Sequence, residues 1–209
     1  MGLGTHENGK FISIVGGRFC IRVPEGSEGA VSRVNKIGKT VFEKYYDNFT
    51  GRLVSIKVTD GNYGKQWVFG FQDQNEVYNL QLGYTNSFAK NIIKMLPNAD
   101  LSKDMKVTPV TKVEADGSKK SSLFINQDSV ALKHAFTKDN PNGLPSMTQV
   151  MVKGSLVWDD TDQMIFLEKM VMDTIVPKLH GAIAQAGIIT PEGEPLEEDD
   201  DINPDDIPF

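Results

Sequence analysis

The sequence predicts a mostly β protein: a small antiparallel barrel with one or two short helices and a disordered acidic C-terminal tail. Three observations predict it. Short runs of alternating apolar and polar residues succeed one another through the first 130 positions. Clusters of Gly, Asp and Asn separate these runs as turns. Periodicity then ends at Thr190, and residues 191–209 hold nine acids and no base, a composition that cannot bury a core. The expected organisation is a flexible N-terminus over 1–9, one folded domain over 10–190 and a tail over 191–209.

Lys10 to Val23 and Val41 to Asp47 are strand candidates. Gly51 to Thr59 alternates, with Val54, Ile56 and Val58 on one face and Ser55, Lys57 and Thr59 on the other. After the turn residues Asp60 to Gly64, the run Lys65–Gln72 aligns Trp67, Phe69 and Phe71, and Glu76–Tyr84 aligns Tyr78, Leu80, Leu82 and Tyr84. Three such strands joined by short turns form a meander. Asn86 to Leu96 reads as a helix, with Phe88, Ile92 and Met95 at helical spacing, Asn86 or Ser87 as cap and Pro97 as stop. Lys106–Val113 and Ser122–Asn126 form a hairpin through Asp116-Gly117-Ser118. Asp139 to Gly143 is a loop. Val150–Trp158 and Met164–Val176 are expected to be a second hairpin, turning at Asp159–Asp162. Met164, Leu167, Val171 and Ile175 also fit a helix. Pro177 to Ala186 is a closing helix, with Pro early and Gly187 just beyond its end. Among small β-barrels with one or two helices, the OB-fold is the common architecture that binds polyanions.

The 209 residues are 39% hydrophobic and 24% charged, enough for one well-cored domain. There is no run of about 18 apolar residues to span a membrane. The opening Met1–Lys10 segment lacks the layout of a secretory signal. Cys20 is the single cysteine, so a reducing, cytoplasmic setting is expected. The net charge of −6 hides an asymmetry: without the tail, 22 bases face 19 acids. A basic body implies an anionic partner.

Several motifs fail on their chemistry. Gly4 to Lys10 has P-loop spacing, but Phe11 stands where a hydroxyl must hold the metal, and no strand can precede it. Asp199, Asp201 and Asn203 begin like a calcium loop, yet Pro204 occupies the glycine position. Asn48-Phe49-Thr50 is a glycosylation sequon, irrelevant without export. His6, His134 and His180 are scattered without ligand spacing. Asp159, Asp160 and Asp162 could serve a metal-dependent nuclease, but Asp favours turns and no His or Glu accompanies them. No enzyme activity, metal or cofactor is expected.

The basic and aromatic residues carry more. Arg33, Lys36, Lys39, Lys44, Arg52, Lys57 and Lys65 interleave with Phe42, Tyr45, Tyr46, Phe49 and Tyr63, and Trp67 stands just beyond. Single-strand binders use this mixture, with cations on phosphates and flat rings on bases. Phe69 and Phe71 are assigned to the core. The expected DNA-contacting set is Lys44, Tyr45, Tyr46, Arg52, Lys57, Tyr63, Lys65, Trp67 and the hairpin pair Lys119 and Lys120.

The chain ends Asp205-Asp206-Ile207-Pro208-Phe209 after an acidic run. An apolar tip on an acidic leash suits docking: Phe209 fills a pocket, its carboxylate meets a base, and Pro208 stiffens the peptide. This string resembles the C-terminal tip of bacterial single-stranded DNA-binding proteins. Val152 to Leu156 is similar to a barrel strand of that family, and the larger body resembles phage-encoded members. The resemblance implies an OB-fold, single-stranded DNA binding, and recruitment of host or phage replication and repair proteins through Asp205, Asp206, Ile207, Pro208 and Phe209. It implies the cytoplasm of a bacterial host. The larger body and the missing Gly/Gln/Pro-rich linker set this chain apart from the tetrameric cellular members, so a monomer or dimer is expected rather than a tetramer. The alternative reading is an adaptor that binds no DNA and competes for the partners of such tips.

Overall fold

The computed structural model describes residues 9–35, 38–61 and 64–185. The first strands meet across a glycine turn: β1 (Lys10–Val15) and β2 (Arg18–Arg22) are joined by Gly16-Gly17. Then come β3 (Val31–Val34), a strand the periodicity did not announce, and β4 (Thr40–Tyr46). The meander forms as expected from β5 (Phe49–Gly61), β6 (Gly64–Asp73) and β7 (Glu76–Gly83). A β-bulge between Leu53 and Ser55 interrupts the alternation of β5. It lets Leu53 and Val54, adjacent in sequence, both be buried.

Helix α1 (Ser87–Met95) starts where Asn86 accepts the Phe88 N–H at 2.8 Å. It turns Phe88, Ala89, Ile92, Ile93 and Met95 inward and ends in a 3-10 turn holding Pro97. Strands β8 (Asp104–Val113) and β9 (Lys119–Gln127) form the expected hairpin, and the short β10 (Val130–Ala131) adds to β9.

These ten strands form one sheet in the order β10-β9-β8-β5-β6-β7-β1-β2-β4-β3. Every pairing is antiparallel except β1 with β7. After the meander the chain returns through α1 to lay β8 beside β5, which is a Greek key. The sheet curls until the β1–β2 turn touches β8, and a Cβ on Gly17 would lie 2.5 Å from the Thr111 nitrogen. It does not close: among the described residues no ladder joins its two ends, so the expected closed barrel is corrected to a curled open sheet.

A second correction concerns the C-terminal third of the body. Strands β11 (Thr148–Val152) and β12 (Ser155–Asp159) are a hairpin of their own. Met164–Val176 is helical, not a strand: α2 (Thr161–Met170), a π-helical turn (Val171–Ile175) and α3 (Val176–Gln185) run on continuously. Asp159 accordingly ends β12, and Asp160 to Asp162 lead into a helix rather than a hairpin turn. Met164, Leu167, Val171, Ile175, Leu179 and Ile183 are buried against the same core as Trp67, Phe69, Phe71 and Leu80.

Candidate nucleic-acid interface

Helices α1 to α3 and the core occupy one side of the sheet, so strand register decides which residues are left for the other. Lys57, Val68 and Gln81 are mutual partners across β5, β6 and β7. In the neighbouring rows stand Ser55, Gly70, Asn79 and Phe11, then Arg52, Gln72 and Val77. Lys106 with Asn126, Thr108 with Phe124 and Lys112 with Lys120 extend this face across β8 and β9. It presents amides, cations and a half-exposed Phe124 ring, 52% accessible. Among the described residues, the exposed Lys57, Lys106, Lys112 and Lys120 form no ion pair. Arg52 lies 3.5 Å from Asp104.

Tyr45 belongs to this face through its register with Cys20 and Ser13. Its hydroxyl donates to Glu43 at 2.6 Å, and Arg33 donates two further hydrogen bonds to the same carboxylate, at 2.7 and 2.8 Å. Glu43 is 2% exposed. Burial alone would raise its pKa, but the bonds from Arg33 and Tyr45 outweigh burial and hold it below the ordinary value. Burial, then the bond to Glu43, pushes the Tyr45 phenol up to about 12. Burial beside the same carboxylate raises the Cys20 thiol to about 11, so this cysteine is an inert thiol. The Arg18 guanidinium lies over the Tyr45 ring, 5.8 Å from its centroid.

Beyond Ser13 and Cys20 the first two strands part, since Lys10–Ile12 pair with β7 and Ile21–Arg22 with β4. A slot of about 620 Å³ opens between them, lined by Phe11, Arg22, Arg33, Lys44 and Tyr46 among others.

The structure divides the residues expected from sequence. Tyr45, Arg52, Lys57 and Lys120 share the helix-free face. Register places Lys44, Tyr46, Lys65, Trp67 and Lys119 on the opposite one. Trp67 is corrected to core: it is fully buried, its indole N–H donates to the Tyr84 carbonyl at 3.2 Å, and its ring stacks on Tyr84 and Phe69. Lys65 is engaged within the protein. It pairs with Glu168 at 2.7 Å and sits 4.8 Å above the Tyr84 ring, whose hydroxyl also donates to Glu168. That group ties the sheet to α2 instead of offering a free charge. Tyr63 and the tip Asp205, Asp206, Ile207, Pro208 and Phe209 lie outside the described residues.

Gln72, Asn79, Gln81, Lys106, Lys112, Phe124 and Asn126 escaped the sequence reading. Their signal was present as the other half of each alternation, the positions between the apolar ones. The aspartates weighed for a nuclease are engaged: Asp159 accepts from Thr161, and Asp160 pairs with Lys90. Among the described residues no His, Cys, Asp or Glu cluster could hold a metal, and no helix is long and apolar enough to cross a membrane.

No family model matches the chain, and no curated protein or solved structure is significantly similar to it.

Proposed function

We propose that this protein binds single-stranded DNA with little sequence preference, protecting it during replication, recombination and repair. In this reading it recruits partner proteins through residues 205–209. The observation that carries the proposal is the helix-free sheet face. Four lysines without ion-pair partners among the described residues stand there beside four side-chain amides and an exposed ring. Lysines spaced along such a face neutralise successive phosphates, and amides and rings accept any base.

Connectivity adds support. The order meander, helix, hairpin, with the strands side by side as β9-β8-β5-β6-β7, agrees with what an OB barrel opened at one seam would have. In that architecture the second and third strands and the loops at both hairpins meet the oligonucleotide. Here these correspond to β6, β7, the β5–β6 connection beyond Lys57 and the β8–β9 connection between Lys112 and Lys119. The acidic Asp-Asp-Ile-Pro-Phe terminus supports the recruiting role by its resemblance to the single-strand-binding family tip.

The test is a titration of fluorescent oligo(dT) across a salt series. Affinity is expected to fall with log salt at a slope near −0.7 per phosphate contacted. Absence of binding at low salt with micromolar protein would leave only the adaptor reading.

A further inference from the structure

The β11–β12 hairpin is apolar on both faces. Met151, Leu156 and Trp158 lie on one, at 67%, 62% and 60% exposure, and Val150, Val152 and Val157 on the other. A two-stranded hairpin is marginal alone in water, and this one pairs with no other strand among the described residues. Edge strands facing solvent usually carry charges that prevent strand addition. Between Thr148 and Trp158 the only charge is Lys153, in the turn.

We propose that this hairpin is the interface for a second copy of the chain, joined edge to edge along β12 about a two-fold axis at Val157. The register dictates the geometry. Lys153 and Gly154, with φ of 50° and 84°, form a two-residue turn closed by Val152 and Ser155. Along β12 the N–H and C=O groups of Leu156 and Trp158 therefore point away from β11. In an antiparallel pair centred on Val157, Leu156 of one copy stands opposite Trp158 of the other, and each pair exchanges two hydrogen bonds. The bulky side chains also meet, a favourable aliphatic–aromatic cross-strand pair.

Charge agrees with this arrangement. Ser155 falls opposite Asp159 of the second copy, which brings Lys153 at one tip beside the Asp159 end of the other hairpin. Pairing along β11 would instead set Lys153 against Met147. Of the exposed apolar side chains, Leu156, Val157 and Trp158 of β12 are the ones this edge brings together in the two copies. Two copies so joined form a four-stranded ribbon, and each hairpin gains the neighbour it lacks.

The experiment is sedimentation equilibrium of the full chain without DNA, from about 1 to about 100 μM. The expected mass rises to twice the 23.1 kDa of one chain. Leu156→Pro removes an outward N–H that the hairpin itself does not use, and Val157→Lys sets like charges on the axis. Each should weaken the dimer at least about tenfold while the thermal midpoint of the monomer holds, and if the proline variant unfolds, the lysine variant decides. Lys153→Glu should weaken it too. Trp158 emission should shift to the blue with self-association, whereas Trp67, already buried, does not move. A wild-type mass of one chain throughout, or a dimer indifferent to both variants, overturns the proposal. So does a monomer whose Trp158 emission responds only to oligo(dT), which would make the hairpin a DNA contact.

Discussion

Lys57 and Lys65 are both lysines flanking the same hairpin, yet they do different work. Lys57 projects from the helix-free face with no ion pair among the described residues, while Lys65 is held by Glu168 on the other side. On the proposed reading, Lys57→Ala weakens oligo(dT) binding and lowers the magnitude of the salt slope by about 0.7. Lys65→Ala leaves the slope alone and lowers stability by about 1 kcal/mol, because it only frees a partly exposed carboxylate. Salt-dependent titrations of the two variants beside urea melts separate the roles, and equal slopes for both would refute the assignment of faces. Glu43 makes a second case. Its folded pKa lies below the ordinary value of 4.5, so its stabilising effect is fully present above that value and is lost as pH falls through the folded pKa. Glu43→Gln should therefore lower the thermal midpoint at neutral pH. The gap from wild type should stay constant down to about pH 4.5 and narrow below it. A gap that widens in acid would show that the carboxylate is not stabilised by Arg33 and Tyr45.

The helical segment from Thr161 shows how an element is chosen. From Leu167 onward the buried residues recur every fourth position through Val171, Ile175, Leu179 and Ile183. On an α-helix a step of four overshoots one turn by about 40°. The stripe would soon rotate off the core, and the wider π turn at Val171–Ile175 takes up part of the drift. Leu167→Ala should cost about 2–5 kcal/mol, and Ile165→Ala, 58% exposed, no more than about 0.5 kcal/mol in urea unfolding. Equal losses would mean that the buried face is misassigned. The same segment marks where sequence reasoning stopped. The meander, α1 and the β8–β9 hairpin were legible because each has a single period and explicit turn or cap residues. Met164–Val176 mixes β-branched residues with helical spacing, and only contact with the core decides between them. The bulge near Val54 and the strand Val31–Val34 were invisible for a related reason: a bulge breaks the alternation, and β3 exists by pairing with β4, with two exposed valines and no buried face. Half of the candidate face was missed because attention went to the apolar positions, although their polar neighbours define it.

At the scale of the whole molecule, charge is the organising quantity. A body with 22 bases and 19 acids carries nine further acids in its last 19 residues. The lysines of the sheet face and those carboxylates belong to one chain, so on the proposed reading the tail competes for the cations that DNA would neutralise, and added salt weakens both attractions. Deleting residues 201–209 removes Asp201, Asp205 and Asp206. It should preserve oligo(dT) binding and tighten it at low salt, with the advantage fading as salt rises. The same deletion should abolish binding to a bacterial protein that recognises single-strand-binding tips. Phe209→Ala alone should do nearly as much, because ring and terminal carboxylate together anchor a short peptide with few other contacts. The two effects separate cleanly, since Phe209→Ala leaves every aspartate in place and should not change the DNA affinity. A titration of such a partner with wild-type, deleted and Phe209→Ala protein, run beside the oligo(dT) series, reads both. Equal partner binding by all three would reduce the tail to a solvating acidic run. Loss of DNA binding on deletion would mean that the tail helps build the DNA site, and the division of labour between body and tip would fall.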